Sequence, residues 1–155
     1  MSERDEIEAL FSRAGLPMDL TFLLQKYPRN VWAESDGLDD MAQFWLNRHN
    51  FFRELSALLN KSVTALHEEK LDAVNFAQWF GPRLELLLGE LEGHHNVEDM
   101  HYFPLLIAAE PRLKRGFEIL DADHHTIHDL LESNASAGRQ FAAALVSGGD
   151  AASGR

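Results

Sequence analysis

The chain contains no cysteine. That excludes a disulfide framework, a zinc–thiolate site and an iron–sulfur cluster, and leaves only nitrogen and oxygen to bind any metal. Nowhere do about eighteen apolar residues follow one another, so no segment reads as a membrane-spanning helix. Positive charge is scarce: 14 Lys and Arg stand against 25 Asp and Glu, for a formal net charge of -11. Such a surface repels nucleic acid and anionic lipid, so the expected partners are small ligands, cations or other proteins, with no nucleic acid and no membrane. Nucleotide, phosphate-loop and nucleophile-triad motifs are absent, which argues against kinase, dehydrogenase or hydrolase chemistry. The opening residues Met1 to Glu6 lead into no apolar run, and the expected location is cytoplasmic. No period-two alternation suggests strands, and no internal repeat is evident.

What is present is helical patterning over 155 residues, enough for one domain with its own core. Residues 1–37 hold two short apolar stretches, Ile7 to Phe11 and Leu20 to Leu24, broken by Gly15, Pro17, Pro28 and Gly37. They read as an N-terminal arm with one or two short helices. From Leu38 the pattern changes. Met41, Trp45, His49, Phe52, Leu55, Leu59, Val63 and Leu66 recur at spacings of three and four, predicting an amphipathic helix to about His67. A second stripe runs through Trp79, Phe80, Leu84, Leu87, Leu91, His94, Glu98, His101 and Leu105, with Gly81-Pro82 marking a kink or restart and Pro104 a disturbance near its end. After Pro111 a third stripe follows: Leu113, Phe117, Leu120, His124, Ile127, His128 and Leu131. Asn134, Ser136 and Gly138 weaken it, Phe141 to Val146 resumes it briefly, and residues 148–155 read as a disordered tail. The expected fold is all-α, an antiparallel up-down bundle over residues 38–147 whose fourth helix is short or missing. The arm, the C-terminal run or a second chain would fill that gap.

The informative feature is where polar residues fall. His49, His94, Glu98, His101, His124 and His128 occupy positions their helices otherwise give to Leu, Phe, Trp or Ile. Leaving so many buried polar groups unsatisfied would cost roughly 1–3 kcal/mol each, and more for a charge. A metal answers that cost, because neutral imidazole and ionised carboxylate are ligands for iron, manganese or zinc. Residues four apart share a helix face, so His94 with Glu98 and His124 with His128 each form a clamp, and His49 completes the site from a third helix. A lone His on such a stripe is more often a hydrogen-bonded core residue; it is the combination on three helices that favours a metal. His101 reads as an outer ligand, a hydrogen-bond donor to bound ligand, or a core residue. His67 lies roughly 27 Å along the helix from His49 and cannot share the centre. His95 and His125 point off the core line, His125 into a solvated row with Asp121 and Asp129. Asp99 and Asp123 can orient an imidazole by accepting its other N–H, although exposed helix carboxylates are commoner.

The segment His94-His95-Asn96-Val97-Glu98-Asp99-Met100-His101-Tyr102-Phe103-Pro104 resembles the second-helix signature of the hemerythrin-like (HHE cation-binding) family, H-x-x-x-E followed by F-P. Asp123-His124-His125-Thr126-Ile127-His128 is similar to its third-helix motif, and Trp45 to His49 fits the first-helix histidine. Over residues 38 to 135 the resemblance implies a four-helix bundle around non-haem iron, usually two ions bridged by carboxylate. His94, His49 and His124 would be terminal ligands and Glu98 a bridge, with His128 matching a histidine found in part of the family. Members bind dioxygen reversibly, sense oxygen or iron, or respond to nitric oxide. An apolar pocket would protect such a ligand, and Phe52, Trp79, Phe103 and Ile127 are candidate walls.

One departure stands out: the family brings a further His and a carboxylate from a fourth helix, and no histidine follows His128. Water, His101, Glu90 or a second subunit would then complete the site, and an open apolar groove would favour a homodimer. The leading expectation is an iron-dependent protein that binds or senses O2, NO or iron itself. The alternatives are a di-iron oxidase or peroxide-handling enzyme, and a metal-free helical interaction protein.

Overall fold

The computed structural model describes residues 9–32 and 40–153, with side chains as far as residue 144. Leu38 and Asp39, where the spacing starts the first long helix, lie outside the described residues. The arm carries a short helix α1 (Phe22–Lys26) between single turns at Met18–Leu20 and Arg29–Val31. Two long helices follow, α2 (Asp40–His67) and α3 (Ala73–Val97), then a π turn (Glu98–Tyr102) leading into α4 (Phe103–Ala109), and finally α5 (Lys114–Ser153). Among the described residues there is no strand. No described helix is long and apolar enough to cross a membrane.

Local chemistry sets the boundaries. Helix α2 ends with Glu69 at φ 55°, where the Lys70 amide donates to the Ala65 carbonyl and that of Glu69 to Leu66, the bonding of a left-handed helix cap. Asp72 begins α3 by accepting from the amides of Val74 and Asn75 at 3.1 and 3.0 Å. Helix α3 passes through Gly81-Pro82 without the restart suggested by sequence. It also starts early enough to bring in Phe76, only 4% exposed. Helix α5 is uninterrupted through Asn134, Ser136 and Gly138, and residues 148 to 153, expected as tail, belong to it. Alanines around those weak formers favour helix, the Asn134 amide donates to the Leu130 carbonyl, and Phe141 docks edge-on against Phe76 at 5.5 Å. Among the described residues no fourth long helix follows.

The chain divides into two compact units, Met1–Leu46 with His94–His128, and Asn47–Gly93 with Asp129–Arg155. In the second, the α2 and α3 segments form an antiparallel hairpin around Phe52, Leu55, Leu59 and Leu87, with Phe51, Trp79, Phe80, Leu84 and Leu91 packed against them. The later half of α5 runs antiparallel to α3, placing Gly138 opposite Leu84 as well as Phe141 on Phe76. Arg48 pairs with Glu90 at 2.5 Å and lies over the rings of Phe51 and Phe52.

In the first unit, α4 and the start of α5 form a second hairpin through the Pro111–Leu113 turn, with Phe103 against Phe117 at 4.9 Å. Here α5 packs along two lines, the first half-buried and the second buried. One carries Phe117, Leu120, His124 and Ile127, as the stripe predicts. The other carries Gly116, Ile119 and Asp123, spaced three and four apart, and the arm lies along it. Leu20 packs on Gly116, Asp19 pairs with Arg115 at 2.9 Å, and the Arg112 guanidinium covers the Phe22 ring at 4.3 Å. Arg13 donates through both terminal nitrogens to the two carboxylate oxygens of Asp123.

With side chains only 12% and 9% exposed, Arg13 and Asp123 depend on each other for solvation. Removing one partner of a buried pair strands the other, so Arg13→Ala is expected to cost about 3 kcal/mol in urea unfolding, and Arg13→Lys, which keeps charge but not the two-pronged geometry, less.

Candidate metal centre

The centre is assembled in the first unit from the C-terminal end of α3, the π turn and the middle of α5. His94 is buried, its side chain 2% exposed, with Nε2 3.4 Å from Oε1 of Glu98, one turn further on. The other Glu98 oxygen lies 3.5 Å from Nε2 of His124 on α5. One carboxylate therefore faces an imidazole nitrogen on each side. Burial, reinforced by the neighbouring charge of Asp99, pushes the Glu98 carboxyl up to about 7.

Asp99 does what the sequence allowed it to do. Its Oδ1 sits 2.7 Å from Nδ1 of His124, so it accepts the proton of the Nδ1–H tautomer and leaves the Nε2 lone pair directed at the Glu98 side. The other orienting candidate, Asp123, is instead committed to Arg13. Aromatic rings hold the imidazoles: Trp45 packs on His94 at 4.8 Å, and Phe103 stacks on His124 at 5.5 Å. His95, expected to point away, stacks nearly parallel on His124 at 3.9 Å. Its 100° rotation from His94 turns it from α2 toward α5, which a single-helix projection does not reveal.

The remaining sequence candidates fall differently. His49 is half-buried on α2, one turn beyond Trp45 and on the same face of that helix. His101 is exposed. In an unbroken α-helix it would follow His94 and Glu98 along one face, but the π turn inserts an extra residue, as the bond from the Phe103 amide to the Glu98 carbonyl records. The register then passes to Tyr102, edge-on to Trp45 at 4.8 Å, and to buried Phe103, while Leu105 is left 67% exposed. His128 is exposed, at the solvent edge of the α5 face that carries His124; His125 is exposed beside Asp121, as expected. Glu90 is paired with Arg48. Of the suggested pocket walls, Phe103 lies on the site, whereas Phe52 and Trp79 belong to the packing of the second unit.

The donor set suits a divalent transition ion: neutral imidazole nitrogens, a carboxylate with both oxygens presented, a second carboxylate orienting one imidazole, and no thiolate. Helical scaffolds that present histidine and carboxylate from facing helices form a recognised class of metal-binding protein. Within that class, the family described as the hemerythrin HHE cation binding domain matches residues 40–151, and this chain belongs to it. Its all-α fold is accordingly of the hemerythrin bundle type. No curated protein and no solved structure gives a significant match.

Two consequences are testable. In the metal-free protein the folded state holds the Glu98 proton more tightly than the unfolded chain, whose carboxyl ionises near 4.5. Stability from this group therefore falls as pH rises from 4.5 to about 7. The thermal midpoint of chelator-stripped protein should decline across that window, and Glu98→Gln should remove that component of the slope. Separately, Asp99→Asn weakens the restraint on the His124 tautomer and should lower metal affinity by roughly 10–100-fold in chelator competition.

Proposed function

We propose that this protein binds non-haem iron, as a di-iron centre, and uses it to bind or sense a diatomic ligand, O2 or NO, or iron itself. The observation that carries this reading is the Glu98 carboxylate facing Nε2 of His94 and of His124, with Asp99 on the far nitrogen of His124. His94 and His124 would be terminal ligands and Glu98 a bridging one. His49, which fits the first-helix histidine of the family, would join them from α2. Iron there would supply an electron-rich centre able to bind a diatomic molecule at an open coordination position. The protein's own part is to present the two Glu98 oxygens between His94 and His124, keep the Nε2 lone pair of His124 available through Asp99, and exclude water with Trp45 and Phe103. Exposed Met41 and Phe44 on α2 would let a second copy pack against this helix as a homodimer.

Elemental analysis with a near-ultraviolet and visible spectrum, on protein expressed in iron-supplemented cells, tests the reading. The expected outcome is ~two irons per chain, lost in the double variant His94→Ala, Glu98→Ala, with spectral changes on adding O2 or NO to the reduced protein. Wild-type protein that takes up no iron on anaerobic reconstitution with ferrous salt would overturn it.

A further inference from the structure

The second unit contains a cleft that the metal centre does not use. It has a volume of about 640 Å³ and is walled by Leu58, Lys61, Ser62 and Ala65 from α2, and by Leu71, Asn75, Gln78, Trp79 and Arg83 from the connecting turn and α3. We propose that this cleft binds a small amphipathic carboxylate, a molecule with an apolar chain or ring and a terminal carboxylate group.

Size and lining set the class of ligand. The volume falls in the range of small-molecule sites, and Leu58, Ala65, Leu71 and the Trp79 ring offer an apolar bed edged by a few hydrogen-bonding groups. Leu58 is 52% exposed, a large apolar side chain left in contact with water beside this bed. The charges set the ligand's polar end. Two cations from different helices, Lys61 and Arg83, border the cleft, and neither has a carboxylate partner among the described residues. Asp72, close by in sequence, is engaged by the amides that begin α3.

Arg83 is also held in place. Its guanidinium lies over Trp79 at 4.3 Å and one terminal nitrogen donates to the Trp79 carbonyl at 2.9 Å, so its remaining donors are presented with little freedom to lose. A planar carboxylate accepts two such bonds, with Lys61 as a second cation, while the ligand's apolar part lies along Trp79 and Leu71. An uncharged apolar molecule would leave both cations unanswered.

Calorimetric titration of the full-length, metal-loaded protein tests this with decanoate and 3-phenylpropanoate as probes and decan-1-ol as the uncharged control, with Trp fluorescence recorded in parallel. Saturable one-to-one binding of at least one carboxylate is expected, with decan-1-ol weaker than decanoate by roughly tenfold or more. The double variant Lys61→Gln, Arg83→Gln should lose affinity by a similar factor while keeping wild-type metal content and helicity. Should that variant fail to fold, exposed Lys61→Gln alone should still weaken carboxylate binding several-fold. Equal binding of decanoate and decan-1-ol, wild-type affinity in a folded variant, or no saturable binding of either carboxylate would overturn the proposal.

Discussion

A carboxylate withdrawn from water must have its charge answered or keep its proton, and Glu98 meets both demands within one turn of helix. Its burial favours the protonated form, while the imidazoles on either side offer lone pairs that do nothing to stabilise the anion unless a cation lies between them. The rest of the first unit follows from this tension. Trp45 and Phe103 keep the surroundings apolar and so raise the cost of ionisation. Asp99 adds a second negative charge next to Glu98 while fixing the tautomer of His124. Without a cation this is an arrangement under electrostatic load, and with one it becomes a closed network of donors and acceptors.

Much of this was legible in sequence, because helical periodicity is strong and the polar residues that interrupt it are few. Spacing puts His94 and Glu98 on one helix face, the cost of burying polar groups brings His124 to them through a shared metal, and Asp99 is legible as an orienting residue; His128, paired with His124 by the same spacing, is exposed. The errors have physical causes. Periodicity puts His101 on the core line only at constant helical pitch, and a single π turn breaks that pitch for everything after it. The angle of His95 within its own helix points it off the core line, yet whether it meets another ring depends on where α5 runs. The weak helix formers at 134, 136 and 138 shorten α5 on local propensity, whereas the Phe141 contact with Phe76, which favours its continuation, acts at the tertiary level.

The N-terminal arm was the least legible element, because its few apolar residues carry no periodic signal. Its attachment is mostly polar and ring-on-cation: Arg13 with Asp123, Asp19 with Arg115, Arg112 over Phe22. Among its described residues only Leu20 is a buried apolar side chain, whereas Phe11 and Met18 are 76% and 82% exposed. Asp123 and His124 are consecutive residues, so α5 is gripped by the arm on one side and by α3 and α4 on the other. A helix held along two lines about 100° apart cannot turn about its own axis, and this gives His124 its fixed aim.

The π turn has a further consequence for how the chain tolerates changes in length. Elsewhere in a helix, loss of one residue re-phases every side chain beyond it and scatters the buried face. Between Glu98 and Tyr102 the surplus residue is already accommodated, so loss of Asp99 or Met100 would return the segment to ordinary pitch and leave Tyr102 and Phe103, then three and four residues beyond Glu98, on the face they already hold. The aromatic floor of Tyr102 and Phe103, and the phase of every side chain after it, would thus outlast the loss of a residue that would scatter the buried face anywhere else along the helix.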